Sequence, residues 1–149
     1  MKALIILKNA GNTGKTQTLE CLTNNLGEDG DVISKKYHYN GHDFVAIVGY
    51  HGLKIGIITI GDPGTEEFVS SELKNLYNNG CDVIVASSRN RGRVYQLLWE
   101  FGKDNDIDTM ETSSYRTYSD YHGSLSYETI NQICAKSLLG AIHVFKTIK

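Results

Sequence analysis

Apolar residues fall into short unbroken runs separated by stretches with a helical repeat. Ala3 to Leu7 is continuously aliphatic, the pattern of a strand buried on both faces. Leu19, Leu22 and Leu26 then recur at helical spacing, with Gly27 as a stop signal. Val32 to Tyr39 predicts a strand and Asn40-Gly41 a turn. Phe44 to Tyr50 and Leu53 to Ile60 predict two stronger strands joined at His51-Gly52, and Gly61-Asp62-Pro63-Gly64 breaks the second. Val69, Leu73, Leu76 and Tyr77 mark one face of a helix that begins near Thr65 and closes at Gly80. Val83 to Ala86 is a further buried strand. Val94, Leu97, Leu98 and Phe101 predict a helix ending at Gly102, and Thr109 to Thr117 a weaker strand. Ile130, Cys134, Leu138, Ala141, Ile142, Phe145 and Ile148 share one face of a last helix, from about Tyr127 to Ile148, that should lie along the sheet.

Short aliphatic strands alternating with amphipathic helices predict an α/β layered fold. The expected sheet is central and mainly parallel, with an antiparallel hairpin and helices on both faces. The chain has 149 residues and a single proline, Pro63, with no linker or repeat. One domain over residues 1–149 is therefore expected. In such folds ligands bind beyond the carboxyl ends of the strands, so the residues that follow strands are the candidates for function.

The first of these is Asn9-Ala10-Gly11-Asn12-Thr13-Gly14-Lys15-Thr16, between the first strand and the first helix. Glycines let backbone N–H groups converge on phosphate oxygens. The N-terminus of the helix adds orphan N–H groups and the positive end of its dipole. The loop resembles the Walker A element of the P-loop NTPase superfamily, ending in Gly14-Lys15-Thr16 and carrying Asn9 where that pattern has glycine. Asparagine tolerates left-handed backbone better than most residues. The resemblance implies that Lys15 reaches the β- and γ-phosphates, that the Thr16 hydroxyl binds Mg²⁺ and that the Gln17 amide faces the α-phosphate. The alternative is a polar turn capped onto the helix by Asn12 or Thr13.

Gly56 to Asp62 resembles a Walker B element, a buried strand ending in an aspartate that holds Mg²⁺. Asp62 is equally a candidate N-cap for the next helix, with Pro63 in its first turn. Glu66 and Glu67 are candidates to orient a water or a substrate hydroxyl, or simply complement that helix's dipole. Ser87-Ser88-Arg89-Asn90-Arg91-Gly92-Arg93 also follows a strand, and its arginines suit phosphate clamping, Arg89 first. Tyr115, Tyr118, Tyr121, His122 and Gly123 precede the last helix, where a tyrosine face can stack on a base.

The hairpin leading into the Asp62 strand resembles the arrangement in small GTPases. The guanine-reading Asn-Lys-X-Asp motif is missing, since Ala86-Ser87-Ser88-Arg89-Asn90 stands in its place, so ATP is expected over GTP. The Gly-Lys-Thr, Gly-Asp-Pro-Gly and Ser-Ser-Arg combination also looks like small bacterial ATP-binding proteins. The resemblance implies a Mg²⁺-ATP-binding protein, with Lys15, Asp62 and Arg89 as catalytic candidates. It leaves open a slow NTPase working with a protein partner, a small-molecule or nucleotide kinase, and a nucleotide sensor without turnover.

Composition narrows the partners. A net charge of −2 and a pI near 6.2 give no general attraction to nucleic acid or anionic membrane. No apolar stretch approaches the roughly 20 residues of a membrane span, and the apolar run at the N-terminus is too short for a signal peptide. Cys21, Cys81 and Cys134 are odd in number and far apart, as expected for reduced thiols in a cytoplasmic protein. The histidines, His38, His42, His51, His122 and His143, lack zinc-ligand spacing.

Overall fold

The computed structural model of the chain describes residues 1–9, 14–38, 40–113 and 126–148. Six strands and four helices lie among them. In chain order these are β1 (Ala3–Lys8), α1 (Lys15–Glu28), β2 (Asp31–Tyr37), β3 (Phe44–Tyr50), β4 (Leu53–Ile58), α2 (Glu66–Asn78), β5 (Val83–Ser88), α3 (Arg93–Asp104), β6 (Thr109–Ser113) and α4 (Tyr127–Phe145). The strands form one mixed sheet in the order β2-β3-β4-β5-β1-β6. β1 is parallel to β5 and β6, and β4 is parallel to β5. β3 runs antiparallel to both β2 and β4.

The aliphatic runs are two-sided because β1, β3, β4 and β5 each feed two cores. Ile5 and Leu7 point to one face with Val85, Ile55 and Ile57. That face is covered by Leu19, Leu22 and Leu26 of α1 and by Ala135, Leu138 and Ile142 of α4. Leu4 and Ile6 point to the other face with Ile84, Ala86 and Ile58, beneath Val69, Leu73 and Leu76 of α2 and Val94 and Leu98 of α3. Each fully buried leucine of α1 contributes about 1.5–3 kcal/mol, which fixes the helix that begins at the glycine loop. β2 lies at the sheet edge, and Val32, Ile33 and Tyr37 on it are exposed.

The element boundaries differ from the sequence expectations at several points. Gly27 and Gly102 do not stop their helices, since α1 runs on to Glu28 and α3 to Asp104. Gly102 instead lets α3 sit against β6, because a methyl group there would collide with Thr109. β4 ends at Ile58 rather than Ile60, β5 continues through Ser88, and α4 ends at Phe145, leaving Ile148 exposed beyond it. Tyr77 is exposed and meets Phe101 edge-on, so it belongs to the outer rim of the α2–α3 contact and not to the core. β6 is described only as far as Ser113; residues 114–117 of the expected strand lie outside the described residues.

Among the described residues this topology has one switch point, between β1 and β5, where open α/β sheets have their crevice. α1 follows β1 and packs on one face, whereas α3 follows the neighbouring β5 and packs on the other. Adjacent parallel strands that send their chains to opposite faces leave an opening at their carboxyl ends, the usual ligand position in open α/β sheets. Asn9 and Arg89 come directly after these two strands.

Candidate functional site

The two strand ends are tied by the Asn9 N–H, which donates to the Ser88 carbonyl at 3.1 Å. Asn9 is buried, and its carbonyl accepts a hydrogen bond from Lys15 Nζ at 3.2 Å. Of the predicted phosphate loop, Asn9, Gly14, Lys15, Thr16 and Gln17 are described, while Ala10, Gly11, Asn12 and Thr13 lie outside the described residues, as does the expected cap by Asn12 or Thr13. Gly14 precedes α1 with φ 77° and ψ 21°, the left-handed region that favours glycine. The Thr18 N–H makes the first turn's bond, to the Gly14 carbonyl at 2.8 Å. The N–H groups of Lys15, Thr16 and Gln17 thus have no intrahelical acceptor. No acidic side chain occupies the first turn of α1, so the positive end of its dipole meets no carboxylate from its own turn.

α2 offers a contrast. Glu66 and Glu67 occupy its first turn, and Glu66 Oε1 accepts the Gly64 N–H at 3.2 Å. Bonds from its own N–H and from that of Gly64 hold the Glu66 carboxyl below its ordinary value. This acid complements the start of its own helix. Asp62 does not cap α2 with its side chain. Its backbone carbonyl accepts the Thr65 hydroxyl at 2.6 Å, and Thr65 is the N-cap.

Thr16 and Asp62, both expected on Mg²⁺, are engaged in two separate pairs. Thr16 Oγ1 donates to Asp43 Oδ1 at 2.9 Å. Asp62 Oδ1 accepts from Arg89, at 3.4 Å from Nε and 3.3 Å from the terminal nitrogen. Both partners of that ion pair are well exposed. It bridges the loops that follow β4 and β5. Arg91 and Arg93 are exposed as well, with Arg93 opening α3. Tyr115, Tyr118, Tyr121, His122 and Gly123 lie outside the described residues.

Asp43 is the residue the sequence reading missed. β3 is antiparallel to β4, so its first residues lie at the same edge of the sheet as the carboxyl end of β4. Asp43 immediately precedes β3 and its side chain is only 7% exposed. Thr59 Oγ1 donates to Asp43 Oδ1 at 3.0 Å, and Asn40 Nδ2 donates to Oδ2 at 2.9 Å. Asn40 Oδ1 in turn accepts the N–H groups of His42 and Asp43, at 3.1 and 3.0 Å, which shapes the turn. A lone acid directly before an aliphatic run, at the end of the hairpin nearest the glycine loop, was the available signal.

The floor beneath these groups is close-packed. Ser87 Oγ donates to the Thr59 carbonyl at 2.7 Å, and a methyl group on Gly61 would collide with the Ser87 carbonyl. Beside the crevice, Glu111 on β6 gathers Lys8 Nζ at 2.9 Å, the Tyr95 hydroxyl at 2.5 Å and Trp99 Nε1 at 3.3 Å. This carboxylate joins the end of β1 to α3 and β6.

No family model, curated protein or solved structure matches the chain. Among the described residues no group of three or more His, Cys, Asp or Glu side chains is arranged to hold a metal ion, and no helix is long and apolar enough to cross a membrane. Mg²⁺ bound with a nucleotide takes only one or two protein carboxylates, completing its shell with phosphate and water. Thr16 with Asp43 is a donor set of that size.

Proposed function

We propose that the chain binds a magnesium–nucleoside triphosphate, ATP in preference to GTP, with residues 9–16 around the phosphates. On this reading the fold is a member of the P-loop NTPase superfamily. The observation that carries it is the position of Lys15 and Thr16, at the N-terminus of a helix whose own first turn carries no acid, beside the crevice between β1 and β5. Lys15 Nζ already rests on the Asn9 carbonyl, so a phosphate in the loop exchanges a neutral acceptor for a charged one. The ammonium–phosphate contact adds the attraction of opposite charges to the hydrogen bond. Arg89, steadied by Asp62, brings a second cation to the same edge. Turnover, as a slow NTPase working with a partner, would draw on Lys15 and Arg89, with Asp62 positioning the arginine.

Calorimetric titration with adenosine, AMP, ADP and ATP in magnesium tests the reading. Affinity is expected to climb as phosphates are added, by about tenfold or more from AMP to ATP, since hydrogen bonds to charged groups contribute about 1.5–3 kcal/mol each. Equal affinity for adenosine and ATP, or none for either, contradicts it.

A further inference from the structure

We propose that the carboxylate holding the divalent cation at this site is Asp43, and that Asp62 serves Arg89 instead. The inference rests on the nucleotide-binding reading above and specifies its metal. Asp43 is buried, and the side-chain donors to it among the described residues are two hydroxyls and an amide, from Thr16, Thr59 and Asn40. Among the described residues no lysine or arginine pairs with it. Among the same residues the one cationic candidate within ion-pair reach is His42 Nε2 at 3.8 Å, on a ring that is 70% exposed. A buried carboxylate is costly without a balancing charge, and a divalent cation beside Thr16 supplies one.

The hydroxyl geometry favours the same position. Thr16 Oγ1 spends its hydrogen on Asp43 Oδ1, which leaves its lone pairs for a metal. Asp43 is itself held by the Asn40 side chain and by the Thr59 hydroxyl, which also accepts the Phe44 N–H at 2.8 Å. The carboxylate is thus fixed before any ligand arrives, as an outer-sphere partner of a metal should be. Asp62 has neither property: its side chain is 62% exposed and its oxygen is engaged by a guanidinium.

Because Asp43 closes the turn that starts at Asn40, metal binding also couples to that turn.

The test is a titration of wild type, D43N, D62N and K15A with ATP, each in excess magnesium and in EDTA. Wild type is expected to gain affinity with magnesium. D43N should lose ~10- to 100-fold of the magnesium-supported affinity, the usual cost of removing a metal's outer partner, and keep the EDTA value. D62N should keep the full ratio of magnesium to EDTA affinity, whatever it loses equally in both through Arg89, and K15A should lose about 10- to 100-fold or more in both conditions. An undiminished gain in D43N, or a loss in D62N as large as in D43N, overturns the assignment while K15A still reports on the loop. A wild-type chain that binds no ATP overturns the nucleotide reading and the assignment with it. A D43N chain that does not fold is replaced by the wild type with Mn²⁺ and ATP. The amide NMR signals of Gly41, His42 and Asp43 should then broaden more than those of Asp62 and Gly64. The reverse order rejects Asp43.

Discussion

Gly14 and Asn131 lie so close that a methyl group on Gly14 would stand 2.6 Å from Asn131 Oδ1. α4 therefore reaches the start of α1, and Asn131 Oδ1 also accepts from the Thr18 hydroxyl at 3.4 Å. Two costs meet at Gly14, the crowding and its φ of 77°. The end of the Asn131 side chain can turn aside, so the dihedral is the larger cost. Gly14→Ala is expected to lose about 1–2 kcal/mol, the usual penalty for a side chain in left-handed backbone. Urea unfolding measures it. Adding Asn131→Ala should restore little, and full recovery in the double variant would assign the cost to crowding.

Gly61 and Gly56 separate backbone from side-chain contacts. A methyl group on Gly61 would run into the carbonyl of Ser87, whereas on Gly56 it would meet Leu76 Cδ1 at 2.9 Å and Cys81 Sγ at 3.2 Å. Side chains repack and a paired strand end does not. Gly61→Ala is therefore expected to destabilise by about 3 kcal/mol, the upper part of the range for overpacking, and Gly56→Ala by about 1 kcal/mol. Equal melting temperatures for the two variants would refute the close approach at Ser87.

The strands and most of the helices were legible because their burial is local in sequence. Ala3 to Leu7 is aliphatic on both alternations since β1 lies between two helix layers. The pairing of Asp43 was not legible because its partner Thr16 is 27 residues away. Their meeting depends on β3 beginning at the edge where β4 ends, a fact of strand direction. Asn40 to Asp43 showed only a turn. Gly102 misled for a similar reason. It looks like a helix stop, but its role is set by Thr109 on the next strand.

Arg89 and Asp62 are both exposed, and exposed pairs contribute only about 0–1 kcal/mol. Arg89→Ala should therefore leave the melting temperature nearly unchanged. Its effect is expected in ATP affinity, a loss of about tenfold, the weight of one charged hydrogen bond. A calorimetric titration beside a thermal melt checks both. Unchanged affinity would leave the arginine as a solvated loop residue.

Glu111 gives the chain a defined pH response. The Tyr95 hydroxyl, then Lys8, holds its carboxyl below the ordinary 4.5. A carboxyl lowered in the folded chain contributes fully above 4.5, and the contribution disappears as pH falls through the lowered value. Glu111 in turn raises Lys8 above 10.5, so that contribution holds below 10.5 and fades as pH climbs through the raised value. Glu111→Gln is expected to flatten both limbs of a stability–pH curve while lowering the plateau between them. Limbs as steep as wild type would show that the cluster does not titrate with folding.

The central claim, that phosphates bind at the start of α1, comes down to Lys15. Its ammonium bonds the Asn9 carbonyl on the half-buried rim of the crevice, so Lys15→Ala leaves both cores untouched. Calorimetric titration of Lys15→Ala and wild type with ATP and magnesium, alongside matched circular dichroism and melting curves, is the most direct measurement. The account predicts a folded variant whose affinity falls by about 10- to 100-fold or more, from the loss of charged bonds to phosphate. A folded variant that binds ATP as tightly as wild type would contradict it.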